Sequence, residues 1–536
     1  MREERIFGPP GTGKTQYLAR QVENAVEKHG VDNIIVASFT KTAALEIISR
    51  SPAIPRENAG TLHALCFRAM GQPEIAETRT DDFNKSQGRY QLSGDSKTNQ
   101  LDEMGVDAQF QTEADELMAE YKFNRALMIH PQKYRKPVYE FMMEWEKWKS
   151  RNNLVDFSDM IQFTIARNLG PPGGQTVGFY DEAQDFNLAE LTLVRRWAQD
   201  QEVVLLAGDD DQCLYGFTGA TPDAFLKPEI PPEQKRVLKQ SWRVPRAVHA
   251  IAQAWIEQNH NREPKVYQPR AEEGEVRDFY KGNYKAPQYI IDDAEKYIAA
   301  GKTVMFLTSC GYMLNAVKAV LRERGIAFHN PYRKTRGDWN PLGTGGKNRT
   351  TSRDRLCAFL GVVDWHDYWE WEQLKKWVDI CKAKGMLQKH GKEIVDNQVE
   401  FCTAYKIAEI RDMYAQIFEP GALEEAIRRS PEWFKKRLLA SKQNVLEFPI
   451  RIYEKGGLEA LNARPQVIIS TIHGVKGGEA DVVYLFPDVS LAAMREWQEG
   501  GDRKESVVRT FYVGMTRSRE SLIFCPPASR LQVRIH

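Results

Sequence analysis

Short apolar runs, each closed by polar or glycine residues, recur along this chain. Arg5-Ile6-Phe7 runs into Gly8-Pro9-Pro10-Gly11-Thr12-Gly13-Lys14-Thr15, and a helix-forming stretch, Gln16-Tyr17-Leu18-Ala19-Arg20, follows. Asn33–Ser38 leads into Phe39-Thr40-Lys41, Val177–Tyr180 into Asp181-Glu182, and Val203–Gly208 into Asp209-Asp210-Asp211-Gln212. Thr303–Leu307 leads into Thr308-Ser309, and Val467–Ser470 into Thr471-Ile472-His473-Gly474. Apolar runs of this length, bounded by turn residues, predict buried strands of parallel sheets. Polar residues at their carboxyl ends stand where open α/β sheets place ligands. The runs form two groups, before and after about residue 230. Two parallel sheets flanked by helices, facing each other across a cleft, are therefore expected.

Two stretches break this rhythm. Residues 70–150 read as mainly helical and end in Tyr139-Glu140-Phe141-Met142-Met143-Glu144-Trp145-Glu146-Lys147-Trp148, whose aromatic spacing predicts a helix core face. Residues 335–460 carry Trp339, Trp365, Trp369, Trp371, Trp377 and Trp433, behind a Gly/Thr/Arg-rich segment at 343–351 that reads as a flexible or DNA-touching loop. Arg428-Arg429 and Lys435-Lys436-Arg437 form a basic helical patch, compatible with duplex phosphates or with a solvated helix face.

Composition narrows the class. The 536 residues are 42% hydrophobic and 27% charged, which is ordinary for a globular chain of several domains and excludes a disordered tail, a collagen or a coiled-coil rod. No apolar run approaches the roughly 18 residues that span a bilayer, and Met1 to Phe7 is charged rather than apolar. A cytoplasmic protein with no membrane association is expected. Seven cysteines (66, 213, 310, 357, 381, 402 and 525) are scattered without a CxxC pair, so neither a disulfide framework nor a structural zinc site is expected. The net charge is +1, so a nucleic-acid surface would have to be a locally lined channel.

The glycine-rich segment has the strand–loop–helix context of a phosphate-binding P-loop. Gly8, Gly11 and Gly13, with Pro9, Pro10 and Thr12, would let backbone amides approach phosphate oxygens. Lys14 would reach the β and γ phosphates, and the Thr15 hydroxyl would ligate Mg²⁺. Such a loop needs an acidic site on a neighbouring strand. Asp181 is the candidate Mg²⁺ ligand, and Glu182 would take the proton of the attacking water.

The segments together resemble the UvrD/Rep/PcrA-type helicases of superfamily 1A. The resemblance rests on Gly8 to Thr15, Ser38 to Glu46, Ala59-Gly60-Thr61-Leu62-His63, Leu154-Val155-Asp156-Phe157-Ser158-Asp159 and Asp181 to Asp185. It continues through Gly208 to Phe217, Gln240-Ser241-Trp242-Arg243, Ser470 to Glu479 and Val508 to Arg517. It implies an α/β fold of two RecA-like P-loop NTPase domains with two mainly helical accessory insertions. The first motor domain would comprise 1–69 and 151–229, and the second 230–334 and 463–536. The insertions would be 70–150 and 335–462. The resemblance further implies an ATP-dependent DNA helicase moving 3′ to 5′ on single-stranded DNA and acting at single-strand/duplex junctions.

Roles follow by resemblance. Arg243 and Arg517 look like arginine fingers, with a surface ion pair the alternative for each. Gln212 looks like the γ-phosphate sensor, and Glu479 a contact to the ribose or to a finger. Trp242 stands where the family stacks a Tyr on adenine, with plain core packing the alternative. Phe39, Tyr215 and Phe217 are candidate base platforms. Thr40, Thr61, His63, Thr471 and His473 are candidate strand contacts, although the two histidines also fit as buried core groups. The family's Gln-containing segment upstream of the P-loop has no counterpart in Met1 to Phe7. Gln16 stands where the family commonly has an arginine against the adenine. ATP is the expected nucleotide, with GTP left open. Thr218 takes the place of a common arginine and Phe217 that of a frequent Trp. Two other readings stay open: a translocase that strips proteins and unwinds only with a partner, and a non-hydrolysing ATP-gated clamp. Because the chain ends soon after the sixth motif, a fused nuclease is not expected.

Overall fold

The computed structural model describes residues 3–50, 54–86, 88–93, 112–332, 339–343, 350–361, 367–397 and 407–535. Trp365, Cys402 and residues 344–349 of the Gly/Thr/Arg-rich segment lie outside the described residues. The chain divides into two compact units. One comprises Met1–Asn283, Met305–Met313 and Ser470–His536, and the other Tyr284–Val304 and Leu314–Ile469. None of the described helices is long and apolar enough to cross a membrane.

The first sheet contains β1 (Glu3–Phe7), β2 (Ile34–Ser38), β3 (Ala59–Gly60), β4 (Val177–Asp181), β5 (Val203–Gly208) and β6 (Lys235–Val237). Their order is β3-β2-β4-β5-β1-β6, and every pairing is parallel. The longer helices described in this unit are α1 (Lys14–His29), α2 (Lys41–Ser49), α3 (Leu62–Ala69), α4 (Glu113–Ala126), α5 (Lys136–Asn152), α6 (Phe157–Ala166), α7 (Leu188–Trp197), α8 (Arg246–Ile256), α9 (Leu491–Glu499) and α10 (Gly501–Met515).

Side chains alternate across a strand, and the central strands bury both faces. Ile6, Ile34, Val36, Val177, Phe179, Leu205 and Ala207 pack with Leu18, Ala19 and Val22 of α1. Their neighbours Phe7, Ile35, Ala37, Tyr180, Val204 and Leu206 pack on the other face with Leu62 and Leu65 of α3 and Leu191 and Val194 of α7. Each such side chain contributes about 1.5–3 kcal/mol, which is why the strands read as unbroken apolar runs. The carboxyl ends of β1, β4 and β5 then lie side by side, since Phe7 pairs with Gly208 and Tyr180 with Leu206.

A separate helical core lies between β3 and β4 in the chain. Val138, Phe141, Trp145 and Trp148 of α5 form its apolar stripe, against Leu117, Met118 and Tyr121 of α4 and Phe83. Asn153 ends α5 in a left-handed turn with φ 54°. Asp156 then caps α6 in a reciprocal box with Asp159. Those two buried carboxylates are neutralised by Lys149 at 2.7 and 2.6 Å and by Arg125, 2.8 Å from Asp159.

The second sheet comprises β7 (Glu275–Asp278), β8 (Val304–Thr308), β9 (Phe328–His329), β10 (Val467–Thr471), β11 (Ala480–Leu485) and β12 (Ser518–Phe524), in the order β7-β12-β11-β8-β10-β9. Strands β9–β10, β11–β12 and β7–β12 pair in parallel. Two parallel sheets flanked by helices are the RecA-like arrangement expected. In the second unit, the helices Ser352–Leu360, Trp371–Val378 and Pro431–Arg437 share an aromatic core in which Phe359 stacks on Phe434 at 4.3 Å and Trp369 lies 4.9 Å from Trp377. The basic patch is split by this core. Arg429 lies over Trp369 and donates to the carbonyls of Gly361 and Tyr368. Arg437 donates to the Gly385 carbonyl, and Lys435 pairs with Glu447. Only Arg428 and Lys436 of the five are exposed.

Candidate functional site

The loop between β1 and α1 is pinned at both ends. The Gly8 amide donates to the Gly208 carbonyl at 2.9 Å, and the Thr12 amide and hydroxyl both donate to the Pro9 carbonyl. Gly11 and Gly13 adopt φ of 73° and 75°, the left-handed region that favours glycine. Gly13 caps α1 with no side-chain acceptor, so the positive end of the helix faces the loop. Lys14 reaches from the first turn to Glu182 at 2.5 Å and Asp181 at 3.5 Å. Burial works against its charge, but the two carboxylates outweigh it and hold the pKa above the usual lysine value.

Two acidic neighbours at the end of β4 are driven apart. Burial raises the Asp181 pKa, helped by the negative charge of Glu182. Glu182 is partly buried, yet Lys14 and Lys476 hold its carboxyl well below the usual range. Its second oxygen accepts from Gln184 at 2.6 Å and faces Lys476 at 3.2 Å. Gln184 in turn accepts from the Asp209 amide at 2.9 Å. Lys476 also pairs with Asp185 and donates to the Gln212 carbonyl at 2.9 Å.

Residues from later in the chain close on the same loop. The Ser241 hydroxyl donates to the Pro10 carbonyl at 2.7 Å, and the Trp242 amide to the Gly11 carbonyl at 2.9 Å. A Cβ at Gly11 would lie 2.4 Å from the Cβ of Arg243, so this approach requires glycine. The Trp242 indole is 73% exposed beside the loop and is not a core residue. Arg243 pairs with Glu479 at 2.7 Å, and Arg519 holds the other Glu479 oxygen at 2.8 Å. Glu479, only partly buried, thereby stays below the usual carboxylate value. Arg517 is buried and donates to the side-chain oxygen of Gln212 at 3.0 Å and to the Val513 carbonyl at 2.9 Å. Burial, with Arg243 near, lowers its pKa to about 9, so it remains charged at neutral pH.

A second set of candidates lies at the next carboxyl ends. Phe39 follows β2 and stacks on Tyr215 at 4.8 Å, Tyr215 meets Phe217 edge-on at 5.9 Å, and Phe217 meets His473 at 6.2 Å. Tyr215 is only 1% exposed, whereas Phe39 and Phe217 are partly exposed. Thr40 and Thr61 cap α2 and α3, accepting from the Ala43 and Ala64 amides. Thr471 is buried and accepts from the Gly474 amide. His63 stands against Phe157 and 3.5 Å from Glu190. Thr15 is partly exposed and Gln16 exposed at the start of α1. Lys476 lies 5.6 Å over the Tyr215 ring, so one ammonium touches both the acidic site and the aromatic run.

The sequence model of the UvrD/REP helicase N-terminal domain matches residues 3–231, and that of the UvrD-like helicase C-terminal domain matches residues 372–526. The chain belongs to the UvrD/Rep helicase family. It is similar to the ATP-dependent DNA helicase PcrA of Staphylococcus aureus strain MRSA252, at 24% identity over 98% of this chain and 81% of the relative. The PcrA of Bacillus subtilis strain 168 is 26% identical over 59% of this chain and 46% of the relative. That of Staphylococcus epidermidis strain ATCC 35984 is 25% identical over 61% of this chain and 48% of the relative. The chain spans about half the length of those last two relatives.

Within this UvrD-like frame, several groups at the site carry no assignment from sequence. Lys476 sits inside the fifth motif, but nothing local shows that it reaches Glu182. Gln184 lies in the acidic segment and orients Glu182. Lys265 and Arg262 pair with the carboxylates of the third motif, and Arg509 donates to the Asp210 backbone carbonyl. Nothing in the run Glu263-Pro264-Lys265 marks Lys265 as buried.

Proposed function

We propose that this UvrD/Rep-family chain is an ATP-hydrolysing DNA helicase that moves 3′ to 5′ along single-stranded DNA and opens duplex at single-strand/duplex junctions. The observation that carries this reading is the convergence of Lys14, Glu182, Gln212, Arg243 and Arg517 on one P-loop, with Lys476 joining that site to the Phe39–Tyr215–Phe217 aromatics.

Glu182, held ionised by Lys14 and Lys476, is the base for the attacking water. Lys14 and the amides at the start of α1 bind the phosphates. Arg243 and Arg517 offset the charge that spreads over the γ-phosphoryl oxygens in the transition state. Gln212 contacts the γ-phosphate and relays its presence to Arg517. Trp242 offers an exposed indole face to the base. The Thr15 hydroxyl and the Asp181 carboxylate are hard oxygen donors that suit Mg²⁺, and a cation there would relieve the burial that raises the Asp181 pKa. When bound, Mg²⁺ neutralises phosphate charge. Phe39 and Phe217 stack bases, and Thr40, Thr61, His63, Thr471 and His473 line the strand. The setting is intracellular.

The test is unwinding of a fluorescent duplex carrying a 3′ or a 5′ single-stranded tail, with ATP and GTP in parallel and Glu182→Gln as control. Unwinding of the 3′-tailed duplex alone, lost in the control, is expected. Strand-stimulated hydrolysis without unwinding would mean a translocase that needs a partner. No stimulated hydrolysis would overturn the motor reading in favour of a clamp.

A further inference from the structure

Three consecutive carboxylates, Asp209, Asp210 and Asp211, are fully buried at the end of β5. Desolvating each costs several kcal/mol unless it is paired. The pairing comes from a turn about fifty residues later. Lys265, itself 1% exposed, places its ammonium 3.2 Å from Asp209, 2.5 Å from Asp210 and 2.9 Å from Asp211. Arg262 forks onto both oxygens of Asp211 at 2.8 and 2.6 Å. The Glu263 amide donates to Asp210 at 2.8 Å, and Arg509 of α10 donates to the Asp210 carbonyl at 3.1 Å. Burial still pushes Asp210 up to about 6 against the pull of Lys265, with its acidic neighbours adding to the rise.

What this cluster holds is more specific than the fold. An ionised carboxylate only accepts hydrogen bonds. Asp209 takes the Gln212 side-chain amide nitrogen at 2.6 Å, which turns the Gln212 oxygen toward the Arg517 guanidinium at 3.0 Å. Lys265 is the cation that holds the other Asp209 oxygen, at 3.2 Å, and so fixes the carboxylate in place. The same loop continues into Tyr215 and Phe217. We propose that Lys265 is a positioning residue for hydrolysis: through Asp209 it fixes the orientation of Gln212 and hence of Arg517, and with Arg262 it anchors the loop that carries Tyr215 and Phe217. This assignment rests on the hydrolysis reading above.

The experiment is steady-state ATP hydrolysis by the full chain, with and without a poly-dT strand, alongside thermal melting. Lys265→Met should lower kcat by about tenfold to a hundredfold, the cost of a misplaced catalytic group. KM for ATP should stay within about twofold. The double variant Lys265→Met/Asp210→Asn removes one of the two carboxylate charges that lose their cation with Lys265, the other being Asp209. It should recover part of the melting midpoint but not kcat, because Asp209 still lacks its cation. Recovery of kcat together with the midpoint would reduce Lys265 to a structural role and overturn the proposal, as would Lys265→Met hydrolysing at the wild-type rate. Where Lys265→Met does not fold, Asp209→Asn reads the same contact, and wild-type kcat there overturns it too. A wild-type chain without strand-stimulated hydrolysis would instead sink the functional reading, and this assignment with it.

Discussion

Glu182 accepts from Lys14 and Gln184 and faces Lys476, so removing its charge should unbalance three partners as well as the chemistry. Glu182→Gln is expected to lower kcat by about 10²–10⁴, the range for a general base, measured by phosphate release under saturating ATP. Arg243→Ala should lower kcat by about 10³ or more, the range for an arginine finger. A loss under about fivefold would reduce Arg243 to an ion-pair partner of Glu479. Gly11→Ala puts a Cβ against Arg243 and Ser241 and asks a non-glycine residue to hold φ 73°. It should cost about 1–3 kcal/mol in a denaturant melt, and hydrolysis should fall with it. At this scale the sequence was informative where chemistry is local. The glycines, Lys14 and Thr15 sit in one loop, and Asp181 and Glu182 end one strand. It was silent on Lys476, whose partner Asp185 is 291 positions away, because such pairing leaves no periodic trace.

Most strands buried on both faces were legible as apolar runs, which is how β1, β2, β4, β5, β8 and β10 stand out, whereas β11 and β12, interior to the second sheet, were not picked out. Nor were the edge strands. β6 and β7 read Lys-Arg-Val and Glu-Val-Arg-Asp, since an edge has less apolar surface to bury, and β3 and β9 are two residues long. The aromatic stripe of α5 was legible, but the ion cluster of Asp156 and Asp159 with Lys149 and Arg125 depends on contacts between α4, α5 and α6. Asp156→Ala removes the α6 cap and leaves Lys149 less compensated. It should cost about 3–5 kcal/mol, as for a broken buried pair, read as a shifted urea midpoint. On α7, burial pushes Glu190 up to about 7 from an ordinary 4.5. Between those values the folded chain keeps a proton that the unfolded chain has lost, so stability falls as pH rises through the window and levels off above it. Glu190→Gln should flatten that fall, gaining up to about 3 kcal/mol over wild type by pH 8 relative to pH 4.5. Parallel stability–pH curves for the two proteins would rule this out.

For the whole molecule, a net charge of +1 leaves little long-range attraction for a polyanion. Strand binding should therefore depend on few phosphates. At about −0.7 per phosphate, three to five contacts give a slope of log K against log salt near −2 to −4. Fluorescence anisotropy of a labelled single strand across salt concentrations would measure it, and a slope beyond about −6 would demand a longer basic channel. The chain has 12 tryptophans, and among the described residues Trp242 is by far the most exposed. Its emission should therefore be the red-shifted part of the intrinsic spectrum, against a blue background from the buried indoles. A base stacking on that ring would quench the red edge selectively. On the proposed stacking, Trp242 would serve as a built-in optical reporter of nucleotide occupancy, one that needs no label and that Trp242→Phe should silence.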